Sequence, residues 1–172
     1  MVLIVADTSS LISLGTIITD PKNPLDILLQ EHQVIIPEQG VSELRATASF
    51  EDSAADAAQA VLDRSSELDI RPTELDEAFP LDDGENAAVT LANDLDATQL
   101  LCDEFNHLAL IHASLADSRL VTTPTLLTAF VRNEHLSAEE AEDLLSDMSD
   151  ARSWASNSYV AQAMSTLQRQ KQ

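Results

Sequence analysis

Short apolar or β-branched runs recur along this chain with helix-like segments between them: VLIVA at 2–6, QVIIP at 33–37, TQLLCD at 98–103 and RLVTT at 119–123. The first two show almost no alternation of apolar and polar residues. A strand that faces water on one side alternates; one without alternation is buried on both faces, the usual condition of a parallel strand covered by helices above and below. The pattern therefore predicts an α/β fold, a three-layer α/β/α sandwich with a central parallel sheet. DIRPTEL at 69–75 reads as a further short strand or an extended loop. Helices are expected at 11–18, at 25–30 after the breaker DPKNP, and at 38–50, 53–68, 81–95 and 104–115. From Pro124 onward only helices follow, one of them opening with a Ser137/Glu140 capping box. No internal repeat, linker or shift in composition interrupts the chain. One domain over 1–172, with a helical C-terminal part at about 124–172, is the expectation.

Acidic residues stand where such a sheet keeps its ligand crevice, beyond the carboxyl ends of the strands. Asp7 ends the first strand and Asp103 ends LLCD. Glu43 lies early in the helix after VIIP, and Glu85 in the first turn of the helix after DDG. Each has an ordinary explanation. Asp7 caps the next helix, Asp103 caps a helix beginning at Glu104, Glu85 is the return half of a capping box with Asp82, and Glu43 is a solvated flank position. Asp7 resists that explanation best, because a charge at the tip of a core strand is expensive without a partner.

The chain carries 30 acidic residues against 9 basic ones, a net charge of −21, and its only lysines are Lys22 and Lys171. A basic partner accounts for excess acid but not for missing lysine; adaptation to a molar-salt cytoplasm accounts for both. At about 1 M salt the Debye length is roughly 3 Å, which screens an acidic surface from itself. A halophilic source is the expectation, and the charge says little about ligand class. The single cysteine, Cys102, excludes an internal disulfide or a thiolate cage. His32, His107, His112 and His135 lack zinc spacing, and the few aromatic residues argue against a base-stacking platform. There is no G-x-S-x-G elbow and no glycine-rich phosphate loop. A phosphorelay receiver needs a late-strand lysine that this chain lacks. No basic segment precedes the first apolar run, and no apolar stretch reaches about 20 residues, so a cytoplasmic protein without signal peptide or membrane span is expected.

In combination, VADTSSLI, IIPEQGVSEL, LDDGENAAVTLA and LLCDE resemble, in order and spacing, the motifs of PIN-domain nucleases. The branch they resemble is the archaeal and bacterial one related to VapC-type toxins. The resemblance implies an acidic quartet of Asp7, Glu43, Glu85 and Asp103 that is both metal-binding and catalytic. It also implies support from the Ser9 hydroxyl and Glu104 in place of the second aspartate of the last motif. The implied cofactor is Mg²⁺ or Mn²⁺, which prefers oxygen ligands; two such ions activate water and stabilise the leaving oxygen of a phosphodiester. The implied activity is endoribonuclease, with RNA as substrate, an antitoxin protein as partner of a toxin, and a homodimer as the assembly. Two departures stand out: EFNHLAL after the last motif lacks the arginine or lysine frequent there, and Asn86 follows Gly-Glu. Thr123, at the end of the fourth strand, is within reach of the crevice, although capping before Pro124 is its simpler role. Arg45, Arg71, Arg119 and Arg132 are candidates for phosphate contact. Trp154, Tyr159, Val160, Met164 and Leu167 are expected to pack on the core or on a partner. The competing readings are a catalytically inactive PIN-like module that binds protein or RNA, and a phosphatase or structure-specific DNA nuclease using the same metals.

Overall fold

The computed structural model of the chain describes residues 1–18 and 21–172, so Asp20, the first residue of the DPKNP breaker, lies outside the described residues. Five strands, β1 (Leu3–Ala6), β2 (Gln33–Pro37), β3 (Asp69–Arg71), β4 (Gln99–Leu101) and β5 (Arg119–Val121), form one parallel sheet in the order β3-β2-β1-β4-β5. The register sets Ile4 beside Val34 on one side and Gln99 on the other. DIRPTEL is thus a strand over its first three residues, at the sheet edge.

The inner strands β1, β2 and β4 are buried on both faces, as their lack of alternation requires, while the edge strands β3 and β5 are partly exposed. Ile4, Ala6, Val34, Ile36, Leu101 and Val121 point into one apolar cluster, while Val5, Ile35, Leu100 and Cys102 point into another. The larger cluster is closed by α1 (Thr8–Gly15), α2 (Pro24–Glu31), α3 (Glu38–Ala48), α4 (Ser53–Leu62), α7 (Thr123–Arg132), α8 (Ala138–Arg152) and α9 (Ser158–Gln170). The smaller is closed by α5 (Asp83–Asp94) and α6 (Leu108–Ser114). The result is the expected α/β/α sandwich. At about 1.5–3 kcal/mol for each fully buried aliphatic side chain, these two layers are the main stabilising term. Trp154, Val160 and Leu167 join the larger cluster with Met164 packed against it, so the C-terminal helices close onto the core; Tyr159 stays 38% exposed.

Three helices depart from their sequence expectations for identifiable reasons. The first begins at Thr8, not at residue 11, because the Asp7 carboxylate accepts from Ser10 N and caps it directly after the strand. The helix expected to run to residue 68 stops at Leu62; Ser65–Glu67 form a 3₁₀ turn, with Arg64 turned outward to Asp26 and Glu67. The helix expected from 104 begins at Leu108. Phe105 docks edge-on against Trp154 (5.0 Å between centroids) and stacks on Tyr159 (5.2 Å), which holds the four residues after Asp103 as a turn.

Two glycines give the packing a direct test. A Cβ on Gly15 would lie 2.4 Å from the carbonyl oxygen of Ala57, where α1 presses on α4. On Gly40 its nearest neighbour would be Thr8 Oγ1 at 3.5 Å, an ordinary contact. Gly15→Ala should destabilise by about 1–3 kcal/mol despite alanine's better helix propensity, whereas Gly40→Ala should be neutral or up to about 1 kcal/mol stabilising. Urea midpoints for the two variants check both.

Candidate active site

In this strand order the chain winds from β1 to one edge and then crosses to β4 on the other side, so the switch point lies between β1 and β4. Asp7 is the first residue beyond β1. Its carboxylate accepts from Ser10 N (3.0 Å), from the Ser9 hydroxyl (2.7 and 2.9 Å) and from the Cys102 thiol (3.1 Å). The Ser9 oxygen accepts in turn from Asp103 N at 2.9 Å, joining the two strand ends through one hydroxyl. Burial pushes Asp7 up to about 7 against the pull of these hydrogen bonds, and the neighbouring Asp103 raises it further. Burial also drives the Cys102 thiol well above its ordinary range, so it stays a neutral donor.

Asp103 is as deeply buried as Asp7, at 5% and 6% exposure. It caps no helix at Glu104, since none begins there. Instead Thr123 N donates to Oδ1 at 2.8 Å and Thr123 Oγ1 to Oδ2 at 2.6 Å, which seats the carboxylate on the N-terminal turn of α7. Burial raises its pKa and the two Thr123 bonds oppose the rise. Thr123 therefore does reach the crevice; the capping role belongs to Thr122, which accepts from Thr125 N.

The remaining acids meet across the start of α5. Asp82 caps that helix by accepting from Glu85 N (2.8 Å), but Glu85 does not complete a box; its buried carboxylate contacts His107 Nδ1 at 2.5 Å. Glu43 is solvent-exposed and accepts from Thr8 Oγ1 at 3.2 Å. Its carboxylate lies against Gly84, where a Cβ would be 2.2 Å from Oε1 and would push the Glu43 side chain aside, so the glycine leaves room for this orientation. Although part of Glu43 faces solvent, the desolvation of its carboxylate end raises it, and Asp82, Glu104 and Glu85 add to the rise; burial likewise raises half-buried Glu104, with Glu85 and Asp82 adding to it. The Glu85 contact raises His107. Asp7 and Asp103 thus form one pair and Glu43, Glu85 and Glu104 a second group, linked by Thr8, the neighbour of Asp7.

Three acids or histidines that converge within 4.8 Å are found once among the described residues, as Asp82, Glu85 and His107. Two of these carry no ligand signal in the sequence: Asp82 reads there as a cap, and His107 lacks zinc spacing, although it stands in the EFNHLAL segment that has no arginine or lysine. One arginine that the motifs do not contain bears on these acids. Arg152, at the end of α8, lowers Asp103 and Glu104; its guanidinium lies 5.9 Å from the Trp154 ring and its Nε has no hydrogen-bond partner among the described residues. Of the arginines named from sequence, Arg71 is tied to Asp69.

Among the described residues no lysine or arginine comes within 4.0 Å of Asp7, Glu43, Asp82, Glu85, Asp103 or Glu104. Buried and crowded carboxylates without a cationic partner are costly unless a bound cation compensates them. An oxygen-rich set with one imidazole suits a hard or borderline divalent metal. The donors present fit such an ion.

No curated protein matches the chain. The family model described as DUF3368: PIN domain matches residues 3–169, nearly the whole length. With the parallel sheet, its switch point and the acids gathered there, the chain belongs to the PIN-domain family, whose members are generally nucleases.

Proposed function

We propose that this protein is a metal-dependent endoribonuclease that hydrolyses RNA at the carboxyl ends of β1 and β4. The observation that carries the reading is the Asp7–Asp103 pair: two buried carboxylates on adjacent strands, bound only by neutral donors and without a lysine or arginine partner among the described residues. In this reading Asp7, Glu43, Glu85 and Asp103 hold Mg²⁺ or Mn²⁺, with Asp82 and His107 available beside Glu85. The metal, when bound, supplies an activated water and charge stabilisation for the leaving oxygen.

The chain's own residues have distinct parts. Ser9, Ser10 and the Cys102 thiol hold the Asp7 carboxylate in one orientation, and Thr123 does the same for Asp103, so neither reorganises as substrate arrives. Glu104, raised by burial and by its acidic neighbours, is placed to take or return a proton near the cleaved bond. Arg152, free of any carboxylate within 4.0 Å among the described residues, is the cation able to meet a phosphate oxygen beside Asp103. A small antitoxin encoded beside the gene would make this enzyme the toxin of a pair; without one it belongs to RNA processing. The net charge of −21 supports a working environment of high salt, where coordination through metal outweighs long-range attraction of RNA.

Mn²⁺ calorimetry in molar KCl should give binding in the wild type that is lost, or at least tenfold weaker, in Asp103→Asn, with RNA cleavage reduced about 10²-fold or more. Wild-type protein that binds no Mn²⁺ overturns the reading. Stability should follow the Asp7 shift. Its folded-state pKa of about 7 lies above the unfolded value of 3.8, so the fold favours the protonated acid. In chelator, the wild type should lose stability relative to Asp7→Asn as pH rises from about 4 to about 7. The gap should level off above pH 7 at a few kcal/mol, on the order of 2–4. Mn²⁺ at pH 8 should close that gap by stabilising the wild type alone, as thermal melts of both proteins would reveal.

A further inference from the structure

A second surface feature departs from the charge of the molecule as a whole. Three adjoining depressions run along β5, the strand at the sheet edge, and between α7 and α9; Thr125 lines all three, and Arg132 lines two. Together they form one groove. In a chain with 30 acidic residues, no aspartate or glutamate lines this groove among the described residues. Three of the nine basic residues do: Arg119, Arg132 and Arg169. None of the three has a carboxylate within 4.0 Å among the described residues, whereas Lys22, Arg64, Arg71 and Lys171 are all paired with acids. Arg169 is steadied by the hydroxyls of Ser165 and Thr166 at 3.2 Å each. The rest of the wall mixes hydroxyl and amide groups (Thr125, Thr128, Ser165 and Gln162 among them) with aliphatic and aromatic ones such as Leu120 and Tyr159.

At one end the lining of the groove is next in the chain to residues that hold the acids. Thr122 lines it, and the next residue, Thr123, holds Asp103. Leu108 lines it, and the residue before, His107, meets Glu85. Tyr159 lies between that end and the arginines, stacked on Phe105.

We propose that this groove is the track for the backbone of the RNA strand flanking the cleaved bond, with Arg119, Arg132 and Arg169 contacting its phosphates. The proposal rests on the nuclease reading above and extends it to substrate binding. Phosphate diesters are what unpaired arginines among hydroxyl donors recognise, and a surface cleared of carboxylates in a chain of −21 is what a polyanion requires to lie down. A second copy of this chain brings its own acidic surface, which matches a row of arginines but not the hydroxyl and amide lining that accompanies it.

The test is fluorescence anisotropy of a short single-stranded RNA, 2′-O-methylated to resist cleavage, across a KCl series. Wild type is compared with Arg132→Gln/Arg169→Gln and with Arg132→Lys/Arg169→Lys. The glutamine pair should bind roughly tenfold or more weakly at the lowest salt, and should lower the slope of log K against log[KCl] by about 1.4, at about 0.7 per lost phosphate contact on a single strand. The lysine pair should keep the slope. Equal affinity and slope in wild type and glutamine pair would overturn the proposal. So would a glutamine pair that only converts a dimer to a monomer in sedimentation, since the groove is then an interface between copies. Cleavage of unmodified RNA by the wild type separates the two levels: wild type that binds with the predicted slope but never cleaves sinks the nuclease reading and keeps the groove, while cleavage with unaltered binding in the variant does the reverse.

Discussion

One hydroxyl holds the two ends of the site together. Ser9 donates to the Asp7 carboxylate and accepts from the backbone of Asp103, so the carboxyl ends of β1 and β4 are locked at the place where the sheet changes direction. The remaining features build outward from that lock. Asp7 caps α1 while facing the crevice, Asp103 rests on the start of α7, and Thr8 carries the connection on to Glu43. Burial is what pulls both carboxylates upward, and at Asp7 the neighbouring Asp103 adds to it.

The distribution of positive charge follows from the same constraint. Nine cations serve 30 acids, and most of those placed near an acid are bound to surface acids far from the switch point. The site itself is left to neutral donors: serine and threonine hydroxyls, a buried thiol and backbone amides. Neutral donors orient a carboxylate without neutralising it, which keeps its charge available to a metal. His107 and Arg152 are the exceptions: His107 meets Glu85, and Arg152 is near enough to lower Asp103 and Glu104 yet paired with neither.

Legibility in the sequence tracked how local each cause was. The sheet was readable because strands buried on both faces must be apolar throughout, and Asp7 and Asp103 were readable because they end such strands. Glu43 and Glu85 came from motif resemblance. Their ordinary explanations were half right: Asp82 does cap α5, but the Glu85 side chain turns to His107 instead of closing a box. His107 was out of reach because its position depends on Phe105 docking against Trp154 and Tyr159, residues some fifty positions later. The shortened helix at Leu108 and the convergence of His107 on Glu85 are one event.

The sequence by itself determined the sheet, the acids at its strand ends and the excess of negative charge, because these depend on periodicity, on residues adjacent in the chain and on composition. Only the tertiary structure decided that Glu43 would lie against Gly84 at the start of α5, that Thr123 would hold Asp103, and that three arginines without an acid partner among the described residues would share a groove with the β5 edge. Each of those joins elements distant along the chain, and their meeting is set by how helices pack over both faces of the sheet, which no local pattern encodes.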